Sequence, residues 1–342
     1  MTGNTGNTGN TGNTGNTGNT GNTAGSGGGM FFADRVDLPF ITLDGLDASI
    51  FVGGNTAIYS ENRWDPFWKA WLVLADFTSV LSGGQPAWKS AKPVDTSSST
   101  NTITWQDGTT TRSLTVTEPP TSVPPQFGNL ALVTPPTNSQ VRDELRHLAR
   151  AARDERTDAM GEIVAQASEF LTYFMDLMAV TPSSHPNTVR LMNIASLIAL
   201  HCCLYWKGFY KRMRPSQLLP GLMPPISVPG HASFPSGHAT QSWLVSLCMQ
   251  QALPGFNLSN STHLPSTPTS GSLCAALTPG LTQLALRIAR NREIAGLHYP
   301  TDSVGGRTLA SQIFSDMLYD GSPSVPGSYT DALTAARTEL NS

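Results

Sequence analysis

Three short segments decide the fold of this chain and the place of its chemistry. They read KGFYKRMRP at residues 207–215, PSGH at residues 235–238 and REIAGLHYPTD at residues 292–302. Together they combine fixed cations, a Ser-Gly turn and two histidines. Ammonium and guanidinium groups bind the oxygens of a tetrahedral anion, and an imidazole can attack or coordinate its central atom. The segments therefore predict one site for a tetrahedral oxyanion, either phosphate or its mimic vanadate.

The first segment places two cations seven residues apart. Lys207 and Arg214 are separated by two helical turns, so a helix that continues almost to Arg214 presents both side chains on one face. Pro215 disfavours helix at the residue before it, which leaves the guanidinium near the helix end. The alternative interpretation is a solvated basic face, because Lys211 and Arg212 lie nearby.

The second segment has the signature of a helix start that binds an anion. Ser236 is a good N-cap residue, and Gly237 lets a ligand approach the backbone closely. The N–H groups of the first turn and the helix dipole both favour negative charge at that point. The alternative is an ordinary capped helix, running to about Ala252, that happens to carry His238.

The third segment joins an arginine to a histidine and a carboxylate. Arg292 precedes His298 by six residues, and Asp302 follows it by four. Pro300 fits the first turn of a new helix, so Asp302 is placed to accept a hydrogen bond from one imidazole nitrogen of His298. A structural histidine is the alternative. The remaining histidines have no comparable surroundings: His147, His185, His201 and His263.

Composition excludes several classes of function. The chain has 342 residues, a net charge of −3 and only 13% charged residues, so no basic field indicates a nucleic-acid partner. Its four cysteines show no CxxC spacing, and two of them are adjacent in an apolar run. Free, buried thiols are the expected state, which fits a reducing compartment such as the cytoplasm.

The chain divides into three parts by composition. Residues 1–29 contain Thr-Gly-Asn triplets and glycine, without an apolar stretch or basic residues, so they predict disorder and no secretory signal. Residues 30–138 predict an irregular, partly β segment with a hairpin turn at Asp107-Gly108 and a short aromatic helix near residues 64–71. Residues 139–342 predict a helical domain.

Within the helical part, residues 141–179 alternate apolar and charged residues at helical spacing, with a division expected at Gly161. The next helix starts after an Asn187 cap. The apolar run of residues 191–206 is too short and too polar for a confident membrane span, so we expect a buried core helix and no membrane span. Further helices are predicted from the Thr278-Pro279 pair, over residues 300–318 and over residues 329–340. The fold class is an all-α bundle.

The order and spacing of the three segments resemble one superfamily. It unites type 2 phosphatidic acid phosphatases, bacterial non-specific acid phosphatases and vanadium-dependent haloperoxidases. The resemblance covers about residues 191–310 and implies a helical bundle of the acid phosphatase and vanadium-dependent haloperoxidase type. It also implies that five residues bind the oxyanion, the glycine through its amide: Lys207, Arg214, Ser236, Gly237 and Arg292.

The same resemblance assigns the reacting groups. His298 would be the phosphoryl-accepting nucleophile of a phosphatase, or the imidazole bound to vanadium in a haloperoxidase. His238 would be the general acid for a leaving group, or would hold the apical oxygen where peroxide binds. Asp302 would orient His298. One departure is Asn291, which stands where acid phosphatases of this type carry serine.

Secondary features separate the two activities. His231 matches a position where bromide-oxidising haloperoxidases carry a histidine, and the run of residues 295–299 is also similar to that branch. The expected function is therefore a soluble vanadium-dependent haloperoxidase with peroxide and halide as substrates. One alternative is a soluble, cofactor-free acid phosphatase acting on phosphate monoesters. Another is a non-catalytic phosphate- or vanadate-binding module.

Overall fold

A computed structural model describes residues 66–94, 102–107, 109–115 and 139–342. The predicted disordered tract of residues 1–29 and most of the irregular segment lie outside these residues. Proline and glycine are frequent in the part that is not described, whereas the described part contains long helical patterns.

The first described elements belong to the segment that was predicted to be partly β. Helix α1 spans Pro66–Ser79 and confirms the predicted aromatic helix over a longer range. A minimal pair of strands, β1 (Leu81–Ser82) and β2 (Gln85–Pro86), leads into a 3₁₀ turn at Ala87–Ser90. Strands β3 (Thr102–Asp107) and β4 (Thr110–Thr115) form an antiparallel hairpin in which Asp107 pairs with Thr110, so the predicted turn is confirmed.

Helices dominate residues 139–342, and the predicted all-α bundle is confirmed. A short helix and a 3₁₀ turn at Pro220–Leu222 follow the long apolar helix, and a π-helical turn at Phe314–Leu318 extends the helix that begins at Pro300. The helices are α2 (Ser139–Asp154), α3 (Arg156–Ser168), α4 (Leu171–Met178), α5 (Pro186–Tyr210), α6 (Pro215–Leu218), α7 (Gly237–Ala252), α8 (Leu273–Ile294), α9 (Pro300–Ile313) and α10 (Gly327–Leu340).

Two predicted helix boundaries were wrong in the region before the site. Gly161 lies inside α3, and the helical run breaks instead at Glu155 and again between Ser168 and Leu171. An isolated glycine weakens a helix by only ~1 kcal/mol, which packing of the surrounding turns overrides. Helix α5 starts at Pro186, so Asn187 is a residue of its first turn and not its cap.

The predicted start of α8 at Thr278-Pro279 was also wrong. The helix begins six residues earlier, at Leu273, and Ser272 is its N-cap, with its hydroxyl accepting the amide of Ala275 at 3.1 Å. Serine and threonine cap helices in the same way, so the sequence is compatible with a helix capped by either Ser272 or Thr278. Pro279 is accommodated inside the helix.

Helix α7 is the centre of the bundle. It packs against α5, α8 and α9, and almost all of its side chains are buried, which explains why its sequence lacks an amphipathic pattern. Helices α1 and α10 pack on α5, and β3 packs on α9. The main core therefore includes residues of α1 and the hairpin, such as Val73 and Trp105. The predicted domain boundary at residue 138 stays a prediction. The described elements before it, α1 and the hairpin of β3 and β4, nevertheless contribute to the same core as the helical part.

Helix α5 forms the apolar spine of this core. Together with the short helix that follows it, α5 forms an apolar stretch over residues 186–218 that is long enough to span a membrane. Inside the protein, 78% of the most apolar 18 residues of this stretch are buried. This burial is the pattern of a core helix, as predicted for residues 191–206. All four cysteines are free and buried, which confirms the predicted thiol state.

A glycine in α9 permits its close approach to α7. A Cβ atom at Gly306 would lie 2.7 Å from the carbonyl oxygen of Ser236 and 3.0 Å from the Cβ of Ala239. Both neighbours belong to the first turn of α7 or to its cap, so they have no flexible side chain to move away. Gly306 thus sets the position of the helix start that carries the PSGH segment.

We expect Gly306→Ala to destabilise the protein by about 1–3 kcal/mol, because overpacking at backbone outweighs the better helix propensity of alanine. Affinity for orthovanadate should fall as well, since the first turn of α7 is displaced. Urea unfolding and a vanadate titration measure both effects. The matched control is Gly161→Ala in α3, where a Cβ meets nothing within 4 Å and should stabilise the protein by ~0.5–1 kcal/mol. Equal stability of both variants would contradict this account.

Candidate active site

A strip of backbone between α6 and α7 brings the first two motif cations together. The Nζ atom of Lys207 donates to the carbonyl oxygens of Ala232 at 2.9 Å and Ser233 at 2.8 Å. The Nε atom of Arg214 donates to the carbonyl oxygen of His231 at 3.0 Å. Both cations are 2% exposed, so their hydrogen bonds replace water. The interpretation of this segment as a solvated basic face is excluded.

The two cations converge by a different route from the one predicted. Helix α5 ends at Tyr210, because Lys211 adopts a left-handed conformation with φ 51°. Arg214 is extended, with φ −70° and ψ 149°, as expected before Pro215. Lys207 and Arg214 therefore do not share one helical face. Lys207 comes from the last turn of α5, and Arg214 comes from the extended segment after it.

His298 and Asp302 form the predicted hydrogen bond. The Nδ1 atom of His298 donates to Oδ2 of Asp302 at 3.1 Å, and its Nε2 atom accepts from Nη1 of Arg214 at 3.1 Å. Asp302 is fully buried and also accepts from the Ser233 hydroxyl and the amide of Tyr299. The carboxylate thus fixes the Nδ1–H tautomer and leaves the lone pair of Nε2 towards the cations.

The second segment forms the predicted helix start. Ser236 is the N-cap of α7, with its hydroxyl oxygen facing the amide of Ala239 at 3.5 Å. The hydroxyl proton of Ser236 remains available to donate to an anion. Gly237 occupies the first position of α7, and among the described side chains the atom nearest to its missing Cβ is Oε1 of Gln241 at 3.8 Å. The first turn is therefore accessible at close range to a bound oxygen.

His238 is held by a backbone carbonyl from α3. Its Nε2 atom donates to the carbonyl oxygen of Gln166 at 2.9 Å, and its ring lies 5.5 Å from that of Phe170. A carbonyl oxygen only accepts, so Nε2 carries the proton and Nδ1 is the nitrogen that can take up a second one. Burial, followed by the positive charge of Arg292, lowers the pKa of His238 to about 3. In the anion-free protein His238 is neutral.

Arg292 carries buried N–H groups that lack an acceptor among the described residues. It is fully buried on the last turn of α8, and its Nη2 atom donates to the carbonyl oxygen of Ile163 at 2.8 Å. Its Nε and Nη1 atoms have no hydrogen-bond partner among the described residues. Buried guanidinium N–H groups without an acceptor are costly, and the oxygens of an oxyanion would satisfy them.

The pKa shifts of the three motif cations also favour a bound anion. Burial lowers the pKa of Lys207 to about 8 and the pKa values of Arg214 and Arg292 to about 10. Asp302 is the carboxylate among them, and it is already paired. No group of three or more His, Cys, Asp or Glu side chains in the described part of the chain is arranged to hold a metal cation. The site is therefore built for negative charge.

His231 lies at the site, beside Arg214. Its Nδ1 atom accepts from Nη2 of Arg214 at 3.1 Å, and its carbonyl oxygen accepts from Nε of the same guanidinium. His231 is half-buried, unlike His238 and His298. The sequence predicted a place near the anion, and the structure puts the ring in contact with one of the cations that would bind it.

Several groups at the site were not found from the sequence. Ser233 belongs to none of the three motifs. Gln166 and Ile163 contact the site through their backbone carbonyls, and residue type does not indicate where a carbonyl will lie. The alternative interpretation placed Arg212 on a solvated basic face, but it is 1% exposed and donates to Oδ1 of Asp302 at 2.7 Å. Asn291, the departure from the acid-phosphatase pattern, faces away towards α3, where its amide donates to Oε1 of Gln166 at 2.9 Å.

This geometry forms a histidine-centred candidate site for an oxyanion at the ends of bundled helices. The family model of the PAP2 superfamily matches residues 189–314, so this part of the chain is similar to that superfamily, whose members are generally phosphatases or haloperoxidases. The matched segment contains all nine predicted site residues, whereas α2 and α3 lie before it. No curated protein matches the chain.

We expect Arg292→Ala to weaken orthovanadate binding by at least 10-fold, because each charge-assisted hydrogen bond to a buried anion contributes about 1.5–3 kcal/mol. Arg214→Ala should show a similar loss. Lys211→Ala is the control: this exposed lysine lies three residues from Arg214 but outside the site. Calorimetric titration of the three variants measures the effect, and equal losses in all three would indicate a diffuse basic surface.

The buried histidines also predict a pH dependence of stability. The pKa of His298 is lowered well below its ordinary value by burial and by Arg214, in the same direction as that of His238. Below pH about 6.5 these two histidines bind protons in the unfolded chain but stay neutral in the folded protein. Stability should therefore fall with decreasing pH by ~1.4 kcal/mol per pH unit for each histidine.

Urea unfolding of the anion-free protein between pH about 6 and 4.5 measures this slope, and comparison with a histidine variant assigns its share. His238→Gln should reduce the slope by ~1.4 kcal/mol per pH unit, since glutamine can donate to the Gln166 carbonyl without titrating. A His238→Gln variant with the wild-type slope would contradict the assigned neutral state.

Proposed function

We propose that this protein is a vanadium-dependent haloperoxidase, in which His298 binds vanadate and hydrogen peroxide oxidises a halide. The observation that carries the proposal is the neutral state of His238. Its Nε2–H donates to the Gln166 carbonyl, and burial beside Arg292 opposes a second proton. The haloperoxidase scheme starts from a neutral His238 that accepts a proton from peroxide, whereas a phosphatase needs His238 protonated before it can donate to a leaving group.

The residues present fit vanadate. The unpartnered N–H groups of Arg292, the hydroxyl of Ser236 and the amides of the first turn of α7 supply donors for its oxygens. Lys207 and Arg214 supply positive charge, and Nε2 of His298 supplies the nitrogen ligand. Vanadate, when bound, supplies a Lewis acid that activates peroxide.

The protein's own residues would control protons and position. Asp302 holds the proton on Nδ1 of His298, so that Nε2 stays a lone-pair donor. Arg214 moves from that lone pair to the oxygens of the anion while it keeps its contact with the Leu297 carbonyl at 2.9 Å. Nδ1 of His238 accepts the proton that peroxide releases. In the overall reaction peroxide is reduced to water, and the halide is oxidised to hypohalous acid.

His231 has a supporting role in this proposal. Its contact with Nη2 of Arg214 places a second imidazole at the rim of the site, half-buried and accessible to protons. Imidazole is the side chain whose ordinary pKa best suits proton exchange near neutral pH. His231→Ala should therefore reduce halide oxidation more than vanadate affinity, which the three buried cations and His298 dominate.

The second candidate is a phosphatase, and the nucleophile geometry favours it. Nε2 of His298 carries a lone pair directed at the cations, which suits attack on the phosphorus of a monoester. The P–O bond to the alcohol breaks as the N–P bond forms, and the alcohol takes its proton from His238. Water then hydrolyses the phosphohistidine. In this scheme the negative charge of the substrate must first raise the pKa of His238.

Parallel assays separate these possibilities. Protein saturated with vanadate, given peroxide and bromide, should brominate a phenol dye, whereas vanadate-free protein should leave p-nitrophenyl phosphate intact. His298→Ala should abolish the bromination, because it removes the protein atom that bonds to the central atom of the oxyanion. Bromination without vanadate, or in the His298→Ala variant, would overturn the assignment.

Two other outcomes point elsewhere. Hydrolysis of p-nitrophenyl phosphate without any vanadate-dependent bromination would establish the phosphatase. Tight vanadate binding without either activity would establish a non-catalytic oxyanion-binding module, although both histidines that catalysis requires are in place.

A further inference from the structure

A chain of buried groups runs from the helical region before the matched family segment to the reacting histidine. It begins at Glu144 in the middle of α2, passes through Arg212 and Asp302, and ends at His298. Glu144 and Asp302 are fully buried, and Arg212 is 1% exposed. Buried charges are costly unless they are paired and hydrogen-bonded, so this arrangement needs a physical explanation.

Glu144 accepts a hydrogen bond at each of its two oxygens. Oε2 accepts from Nη2 of Arg212 at 2.6 Å. Oε1 accepts from the hydroxyl of Thr301 at 2.6 Å and from its amide at 3.0 Å. Burial raises the pKa of Glu144, and Arg212 with Thr301 opposes that rise. Every partner is a donor, so the side chain is the ionised carboxylate, which caps the first turn of α9.

Arg212 is held on three sides as a result. Its Nη2 atom donates to Glu144, and its Nη1 atom donates to the hydroxyl oxygen of Thr301 and to Oδ1 of Asp302, both at 2.7 Å. Its guanidinium carbon lies 3.7 Å from the ring centroid of Tyr299. Burial opposes the charge of Arg212, but the carboxylates of Glu144 and Asp302 outweigh it and raise the pKa.

In this geometry the two oxygens of Asp302 accept hydrogen bonds from different groups. Oδ1 receives Arg212, whereas Oδ2 receives the Ser233 hydroxyl, the Tyr299 amide and Nδ1 of His298. Without a fixed guanidinium on Oδ1, only the Ser233 hydroxyl and the Tyr299 amide would hold the carboxylate besides His298, and its plane could tilt away from Nδ1 of that imidazole. The orientation of the imidazole therefore depends on where Arg212 is held.

We propose that Glu144 and Arg212 are positioning residues for the oxyanion reaction. Together they fix the carboxylate of Asp302 so that His298 stays in the Nδ1–H tautomer with Nε2 directed into the site. This inference rests on the proposed function of His298 as the group bonded to the oxyanion, whichever of the two reactions follows. It assigns a role to α2, which lies outside the segment that defines the superfamily.

Glu144→Gln tests the proposal. The amide of glutamine must direct an N–H group at either Arg212 or Thr301, both of which are donors, so the arrangement cannot be satisfied. We expect kcat to fall on the order of 10- to 100-fold, the usual effect of losing a group that orients a reacting side chain. KM and orthovanadate affinity should stay within about threefold, because the anion's cations are untouched.

A spectroscopic readout separates positioning from general structural damage. In ¹⁵N-histidine NMR spectra the wild-type His298 signals, assigned with His298→Gln, should show a protonated Nδ1 and an unprotonated Nε2. Glu144→Gln should shift both signals towards a mixture of tautomers. Because this readout needs no turnover, it decides the inference even if the protein proves to have neither proposed activity.

Glu339→Gln is the matched control. Glu339 on α10 caps the start of α5 with the same pattern, accepting the amide of Thr188 at 2.8 Å and its hydroxyl at 2.9 Å. It has no link to Asp302 or His298 through the contacts of the described residues. This variant should change stability but leave kcat and the His298 spectrum at wild-type values.

A double variant covers the case in which Glu144→Gln does not fold. Glu144→Leu combined with Arg212→Met removes both charges, so no unpaired partner remains buried between them. It should fold and show the same loss of kcat and the same mixed tautomers. Wild-type kcat and a wild-type His298 spectrum in either folded variant would overturn the proposal, as would equal spectral changes in the Glu339→Gln control.

Discussion

The burial of three cations around the two histidines of the candidate site is the constraint on which the rest of this structure depends. Lys207, Arg214 and Arg292 are almost inaccessible to water, and the nearby carboxylate of Asp302 is already bound to Arg212. Burying a charge without compensation costs several kcal/mol. The fold reduces this cost by directing backbone carbonyls at the cations, and the oxygens of a bound anion would satisfy the donors that remain.

The carbonyls that solvate these cations explain why distant elements meet at the site. Lys207 fixes residues 232 and 233, Arg214 fixes residues 231 and 297, and Arg292 fixes Ile163 on α3. Each side chain therefore joins a motif to a stretch of backbone whose own sequence carries no motif. A substitution at one cation should for this reason affect the packing of a loop or a helix end as well as anion binding.

Local spacing explains what the sequence could predict. The Ser236 cap and the hydrogen bond between His298 and Asp302 depend on residues at most four positions apart, so residue type and spacing were enough. The end of α5 was predicted too late, because the left-handed backbone at Lys211 is favoured by the contact of Arg212 with Ser233, not by residue type. Glu144 and the carbonyl of Gln166 were missed because they reach the site only through the tertiary packing of α2 and α3.

The same cations link anion binding to proton transfer. In the anion-free site their charge and the low polarity of the interior keep His238 and His298 neutral. A bound oxyanion adds negative charge among them, which must raise the pKa of His238 towards the working range. In the proposed function His298 would respond differently, because its Nδ1 proton is already committed to Asp302 and its Nε2 lone pair would bind the anion. One histidine would then stay a ligand or nucleophile while the other would become competent to exchange a proton, and the anion itself would make that division.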